Sequence, residues 1–255
     1  MQNNTFSSLI VGQKIVTLRQ VDSTNNYLKL QLAKCEPLPE GTVILAEDQY
    51  AGRGQVRNVW HSQPGKNLTF SILLYPVFIK PDFQFNLNIA VSLAINDVLR
   101  SIVGPSAKIK WPNDIFYEDK KLGGVLIENS LQGSQLKSSV IGVGINVNQT
   151  SFPESVKNVS SLREILHQDY DLNVLLQQLC KAIERRYCEL KENPGTHLTE
   201  YLGALYRFGE DHPFIIDGKP EVARIVGVNE RGFLKLDING SLRSFNLKEV
   251  SFVIR

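Results

Sequence analysis

Apolar residues recur along the chain with two different periods, and the switches between them mark out the elements. Between Phe83 and Val103, the residues Leu87, Val91, Ala94, Ile95, Val98, Leu99 and Ile102 return every three or four positions, which predicts an amphipathic or buried helix. Leu172, Leu175, Leu176, Leu179, Ile183 and Leu190 repeat that spacing over Asp171 to Lys191, and a further helical stretch over about Thr196 to Arg207 follows a break at Pro194-Gly195. Asp22-Ser23-Thr24-Asn25 offers several side-chain caps just before the run YLKLQLAKC, a helix start. Elsewhere the pattern is that of strands. A short one is expected around Lys14 to Leu18. TVILAEDQ, NLTFSILLYP, AKIKW, IFYED, GGVLIE and SSVIGVGINV follow, rich in β-branched and aromatic residues, with Asp119-Lys120-Lys121 expected at a hairpin tip.

From about His212 the rhythm shortens. PFIID, EVARIVGV, FLKLDI, SLRSFNL and EVSFVIR alternate with the turn signals DGKP, NERG and NG, which predicts a small barrel. No repeat or flexible linker separates it from what precedes, so it is expected to dock. The reading is α+β: a mixed β-sheet with packed helices over residues 1–210, then a small all-β barrel domain over 211–255.

Composition adds mainly exclusions. With 255 residues, 42% hydrophobic and 21% charged, the chain can bury a full core and is neither disordered nor collagen-like. Lys and Arg number 28 against 26 Asp and Glu, so a nucleic-acid contact would need local clustering. The basic residues near Glu118-Asp119-Lys120-Lys121 are interrupted by acids, which argues against a nucleic-acid partner. The N-terminal MQNNTFSSLIVGQKIV has no basic start followed by an apolar core, and no run of about 18 apolar residues occurs, so no membrane association is expected and a cytoplasmic location is. Cys35, Cys180 and Cys188 lack a C-x-x-C spacing and are expected as buried or half-buried thiols; His61, His167, His197 and His212 lack metal-ligand spacing.

Three segments carry chemistry. In EDQYAGRGQVRNVW, Gly52 and Gly54 flank Arg53, which lets backbone approach a ligand beside a guanidinium; a solvated glycine-rich hairpin loop fits the same residues. A dinucleotide fingerprint is excluded, because Arg57 stands where the third glycine would be and the loop leads into a strand. In KIKWPNDIFYEDKKLGGVLIE, Trp111-Pro112-Asn113-Asp114 forms a rigid turn and Lys121 precedes Gly123-Gly124; Lys110 and Lys121 read equally well as edge charges. In IGVGINVN, Gly142 and Gly144 clear one face of a strand, either for a flat ligand or for tight packing.

The order STNNY, AGRGQ…W, KWPNDIFYEDKKLGG, GVGINVN resembles the biotin–protein ligases over essentially the entire chain. The resemblance implies a mixed sheet followed by an SH3-like barrel, and a monofunctional ligase, since the first motif at Ser23 leaves no room for the DNA-binding domain of some relatives. It implies that biotin is activated by ATP with Mg²⁺ and transferred to a lysine of a biotin carboxyl carrier protein, such as that of acetyl-CoA carboxylase. Biotin would meet Ser23, Thr24, Asn25, Gln49, Gly52, Arg53, Gly54, Lys121, Gly124, Gly142 and Gly144. ATP and the adenylate would meet Arg53, Gly54, Gln55, Trp60, Lys110, Asn113, Lys121 and Asn146. Arg53 and Lys121 would stabilise phosphoryl charge, and Asp114 would hold the ion, position a lysine or act as base. The metal ligands stay open, as does the choice between monomer and homodimer. Relatives usually continue G-R-G-Q/R-x-G, so Val56-Arg57 is a departure in the ligand loop. Lipoate- or octanoate-handling enzymes are the nearest rival, and a non-catalytic nucleic-acid-binding module is a rival of another class.

Overall fold

A computed structural model describes residues 3–4, 10–34, 38–55 and 58–254 of the chain. Cys35 and the Val56-Arg57 departure lie outside them. The main sheet has eight strands: β1 (Asn3–Asn4), β2 (Ile15–Leu18), β3 (Val43–Ala46), β4 (Leu68–Leu74), β5 (Ala107–Lys110), β6 (Asp114–Tyr117), β7 (Lys120–Gln132) and β8 (Gln135–Ile145). Their order is β1-β2-β3-β4-β8-β7-β6-β5, with β2 and β3 parallel and the other neighbours antiparallel. The expected short strands GGVLIE and SSVIGVGINV are the inner halves of one long hairpin, β7 and β8. The β6–β7 turn falls on Glu118 and Asp119, so Lys120 and Lys121 already belong to β7 instead of the hairpin tip.

The helices are α1 (Thr24–Leu32), α2 (Phe85–Val103), α3 (Leu162–Leu166), α4 (Leu172–Glu192) and α5 (Leu198–Ala204). Residues 162–166 were not anticipated as a helix: five residues are too few to display a period, and Ser161 caps the segment locally by accepting from the Glu164 N–H. α5 is shorter than the expected stretch, because Leu205 turns extended and its neighbour Tyr206 bonds the Ile109 carbonyl of β5.

The side-chain alternation of β4 divides the molecule. Leu68, Phe70, Ile72 and Leu74 point into the large core, which also contains Ile141, Val143 and Ile145 of β8 and the apolar faces of α2 and α4. Thr69, Ser71 and Leu73 point the other way. There Leu73 joins Leu28 of α1, Ile44 and Val140 in a second, smaller cluster, and beyond it the same face turns polar. One face of the sheet is thus core throughout, whereas the other is core beneath α1 and open beside it.

From Asp211 the chain forms an all-antiparallel sheet of β9 (Asp211–Ile216), β10 (Lys219–Val228), β11 (Leu234–Ile238), β12 (Ser241–Phe245) and β13 (Val250–Phe252), ordered β12-β11-β10-β9-β13. Asn239 and Gly240 both have positive φ at the β11–β12 turn, as a tight two-residue hairpin requires. This sheet is fastened to the main one by the buried Trp111 indole, which donates to the Gly232 carbonyl at 2.9 Å. Gly232, at φ 87, also lies so close to Phe85 that any side chain there would overlap the ring. Of the cysteines, Cys180 is buried and Cys188 is exposed on α4, against the expectation of a half-buried thiol; both are free.

The division of faces makes a direct prediction. Phe70→Ala, on the core side of β4, should destabilise the protein by about 3–5 kcal/mol through the cavity it leaves, measured by denaturant unfolding, whereas its neighbour Ser71→Ala on the opposite face should cost about 1 kcal/mol.

Candidate active site

The open part of the α1-side face is organised by strand register. Ala46, Thr69, Gly144, Gly124, Asp114 and Lys110 are successive cross-strand partners from β3 to β5, so they stand in one row across the sheet. Ile44, Ser71, Gly142 and Leu126 form the next row. Lys121 reaches the same face by an irregularity. Three residues apart on a regular strand, Lys121 and Gly124 would point to opposite sides. The pairing of β6 and β7 steps from Ile115↔Gly123 to Phe116↔Lys121, leaving Leu122 as the extra residue of a bulge. Leu122 drops fully buried into the core, and Lys121 comes round to Gly124, where its Nζ would lie 3.4 Å from an added Cβ. The backbone of Lys121 is fixed there by a donated bond to the Asn158 carbonyl at 2.7 Å and one accepted from the Ser160 N–H at 3.0 Å.

The resulting cleft holds about 370 Å³. At one end are the buried side chains of Ser23, Thr24, Asn25 and Gln49. Ser23 occupies the N-cap position of α1 but makes no side-chain cap bond, so this group serves the cleft instead of closing the helix. Gln49 accepts from the Thr24 N–H at 2.9 Å, and Ser71 of β4 stands 2.7 Å from the Thr24 hydroxyl and 2.6 Å from Asn25 Oδ1. The space over Gly142 is filled by Asn25, whose Oδ1 would be 2.5 Å from a Cβ there. That over Gly144 is filled by the Trp60 indole. Both glycines line the cleft, yet their first effect is to let these two side chains lie against the strand.

Gly52–Gly54 and Asn58–Trp60 run against each other as a small hairpin, with Arg53 bridged to Val59 and the Trp60 N–H donating to Gly52 at 2.9 Å. Gly52 does not line the cleft; it lies where a Cβ would strike the Trp60 carbonyl and the Gln49 amide, and so shapes the loop. Gly54 and Gln55 do line it. Arg53 also reaches the cleft wall, but its guanidinium is engaged: it donates to Asn26 at 2.8 Å and to both Glu128 oxygens at 3.1 and 3.2 Å. Glu128 further accepts from Lys29 at 2.6 Å and from Asn25 at 2.9 Å. Burial pushes the Glu128 carboxyl up, but the hydrogen bonds from Lys29, Asn25 and Arg53 outweigh it and hold the group below the ordinary carboxylate range.

At the other end stand Lys110, Asp114 and Lys121. Asp114 pairs with Lys121 at 2.6 Å. Lys110 lies 5.5 Å from the centroid of Phe116 and 4.9 Å from that of Phe252, a residue of β13, and burial, the largest influence, lowers its pKa. Asn113 and Asn146, expected on the adenylate side, are buried and do not line the cleft. Asn113 donates to Val125 at 2.7 Å and ties the β5–β6 turn to β7, while Asn146 donates to the Ser160 carbonyl at 3.1 Å and secures the segment that pairs with Lys121. The residues missed altogether are Ser71, Glu128 with its partners Asn26 and Lys29, and the β13 edge of the small sheet. Thr69 and Ser71 were detectable as the polar members of an otherwise apolar strand; Glu128 and Phe252 carried no local signal.

Two outcomes test this geometry. Glu128 contributes stability that is complete above its unfolded pKa and lost as pH falls through its lower folded value, so Glu128→Gln should flatten the loss of thermal stability below about pH 4.3. Gly144→Ala should push the Trp60 indole off the strand and red-shift tryptophan emission, while thermal unfolding stays cooperative.

The biotin/lipoate A/B protein ligase family model matches residues 17–146. The chain is 35% identical to the bifunctional ligase/repressor BirA of Bacillus subtilis over 244 residues, 92% of this chain and 72% of that protein. With the Bacillus spizizenii protein of the same name it shares 33% identity over 185 residues, 70% of this chain and 55% of that one. Among solved structures, the biotin protein ligase from Aquifex aeolicus in complex with biotin and ATP superposes with a TM-score of 0.77 at 28% identity, covering 94% of this chain and 99% of that one. A chain with this row of residues, this order of motifs and these relatives belongs to the biotin/lipoate A/B protein ligase family, among its biotin–protein ligases.

Proposed function

We propose that the protein forms biotinyl-5′-adenylate from biotin and ATP and transfers the biotinyl group to a carrier lysine. The observation that carries this reading is the single cleft with two chemically different ends on one sheet face: an uncharged hydrogen-bonding end at Ser23, Thr24, Asn25 and Gln49, and a cationic end at Lys110 and Lys121. The uncharged end suits the ureido ring of biotin, whose N–H and C=O groups need partners once buried. The cationic end suits phosphate oxygens.

In the first step a biotin carboxylate oxygen bonds to the α-phosphorus, the bond to the bridging oxygen breaks, and pyrophosphate leaves with the electron pair. Lys121, held by its backbone bonds, faces the developing charge and stabilises it electrostatically. Arg53, expected at the phosphates, is paired here with Glu128 and in that position fastens Gly52–Gly54 to β7 beside the cleft. In the second step the carrier lysine, deprotonated, attacks the acyl carbon and AMP departs; Asp114 stands at the same end as the acceptor for that proton. Among the described residues Asp114 is the cleft's one lining carboxylate, and no group of three His, Cys, Asp or Glu is assembled. That donor set would fit Mg²⁺ with Asp114 as the residue that would hold it, and the ion would supply neutralisation of phosphate charge. The acceptor we assign is a biotin carboxyl carrier domain of acetyl-CoA carboxylase or a related carboxylase. No helix among the described residues is long and apolar enough to cross a membrane. We place the reaction in the cytoplasm with its ATP.

Incubation with ATP, Mg²⁺ and either biotin or lipoate, followed by mass spectrometry of the acyl-adenylate before any carrier is added, tests the reading. Biotinyl-adenylate from biotin alone is expected; product from lipoate alone moves the chain to the lipoate side of its family, and no product from folded protein overturns the reading. Lys121→Ala should lower the adenylation rate about a hundredfold, and a wild-type rate in that variant refutes its role.

A further inference from the structure

Lys110 and Lys121 share one end of the cleft but are held by different means. Lys121 lies 5.9 Å from the centroid of the Trp60 ring but is neutralised by Asp114 at 2.6 Å. Among the described residues no carboxylate comes within 4.0 Å of the Lys110 ammonium, although Lys110 is the cross-strand partner of Asp114. Its charge rests on aromatic faces alone, those of Phe116 and Phe252, at distances where the ring quadrupoles attract a cation. Phe116 comes from β6, beside Lys110 in the main sheet, and is buried. Phe252 comes from the last strand of the small sheet, more than a hundred residues later, and lines the cleft.

Phe252 is itself firmly placed. Its ring lies 4.9 Å from that of Phe214 and 6.1 Å from that of Tyr206, and β13 is in register with β9 at Phe252↔Phe214. Of Lys110 and Lys121, the one with no carboxylate within 4.0 Å among the described residues is therefore the one whose position depends on the small sheet. Aromatic faces hold a cation without satisfying its need for an anion, so a phosphate entering the cleft meets an ammonium already aimed and not committed to a carboxylate.

We propose that Phe252 is a positioning residue for the nucleotide: by holding Lys110 it makes the small C-terminal sheet a structural part of the phosphate end of the cleft. The proposal rests on the ligase reading above. It assigns recognition of ATP, and not of biotin, to this contact, because Lys110 and the Ser23–Asn25 group lie at opposite ends.

The test is steady-state adenylation with separate titration of ATP and biotin. Phe252→Leu keeps an apolar side chain but removes the ring, and should raise KM for ATP about five- to tenfold with KM for biotin unchanged. Phe252→Tyr keeps the ring and should restore the ATP value. In a Lys110→Met background, which itself should raise KM for ATP alone, Phe252→Leu should add nothing. Equal changes in both KM values, no change in either, or a Phe252→Leu effect that persists without Lys110 overturns the proposal. If Phe252→Leu fails to fold, Lys110→Met decides: an unaltered KM for ATP refutes it. Wild-type protein that makes no biotinyl-adenylate overturns the ligase reading and this proposal with it, whereas active wild type with an indifferent Phe252→Leu overturns this proposal alone.

Discussion

The two-residue side-chain period of the central sheet is the constraint on which the rest depends. β4, β8 and β7 each send alternate residues into a core built with α2 and α4, and that burial fixes their register, because a slip of one residue would turn Phe70 and Ile141 outward and Ser71 and Gly142 inward. With register fixed, the cross-strand row from Ala46 to Lys110 is fixed too. The cleft is thus a by-product of core packing: the apolar side of the sheet supplies the free energy and the other side inherits the alignment.

Within that frame, three cations of the cleft are held by distinct sets of partners. Arg53 is gripped by a carboxylate at the loop side, Lys121 by a carboxylate and by backbone bonds, and Lys110 by rings. The half-exposed ion pairs add little stability of their own, since solvent screens them. Their value is geometric, for they hold long flexible side chains at set places on the sheet face. The bulge at Leu122 belongs to the same economy of position, since it sends one residue into the core and the next cation to the cleft.

The sequence by itself determined the elements whose pattern is local. The 3.6-residue period of α2 and α4, the β-branched runs, and the DGKP, NERG and NG turns of the small sheet depend only on neighbours along the chain, and the structure follows them closely. The motif order was enough for the family, and it marked Ser23, Thr24, Asn25, Gln49, Lys110 and Lys121, which line one cleft. What only the tertiary structure decided is how those residues are held and which others join them. Lys121 and Gly124 look opposed until the bulge is seen, and the bonds from the Asn113 and Asn146 amides to Val125 and Ser160 are visible only in the fold. Glu128 and Phe252 reach Arg53 and Lys110 across 75 and more than a hundred positions of chain. Side-chain period is a property of a few consecutive residues, but partnership across a sheet is set by register and by the docking of a second sheet, and neither leaves a mark on the residues nearby.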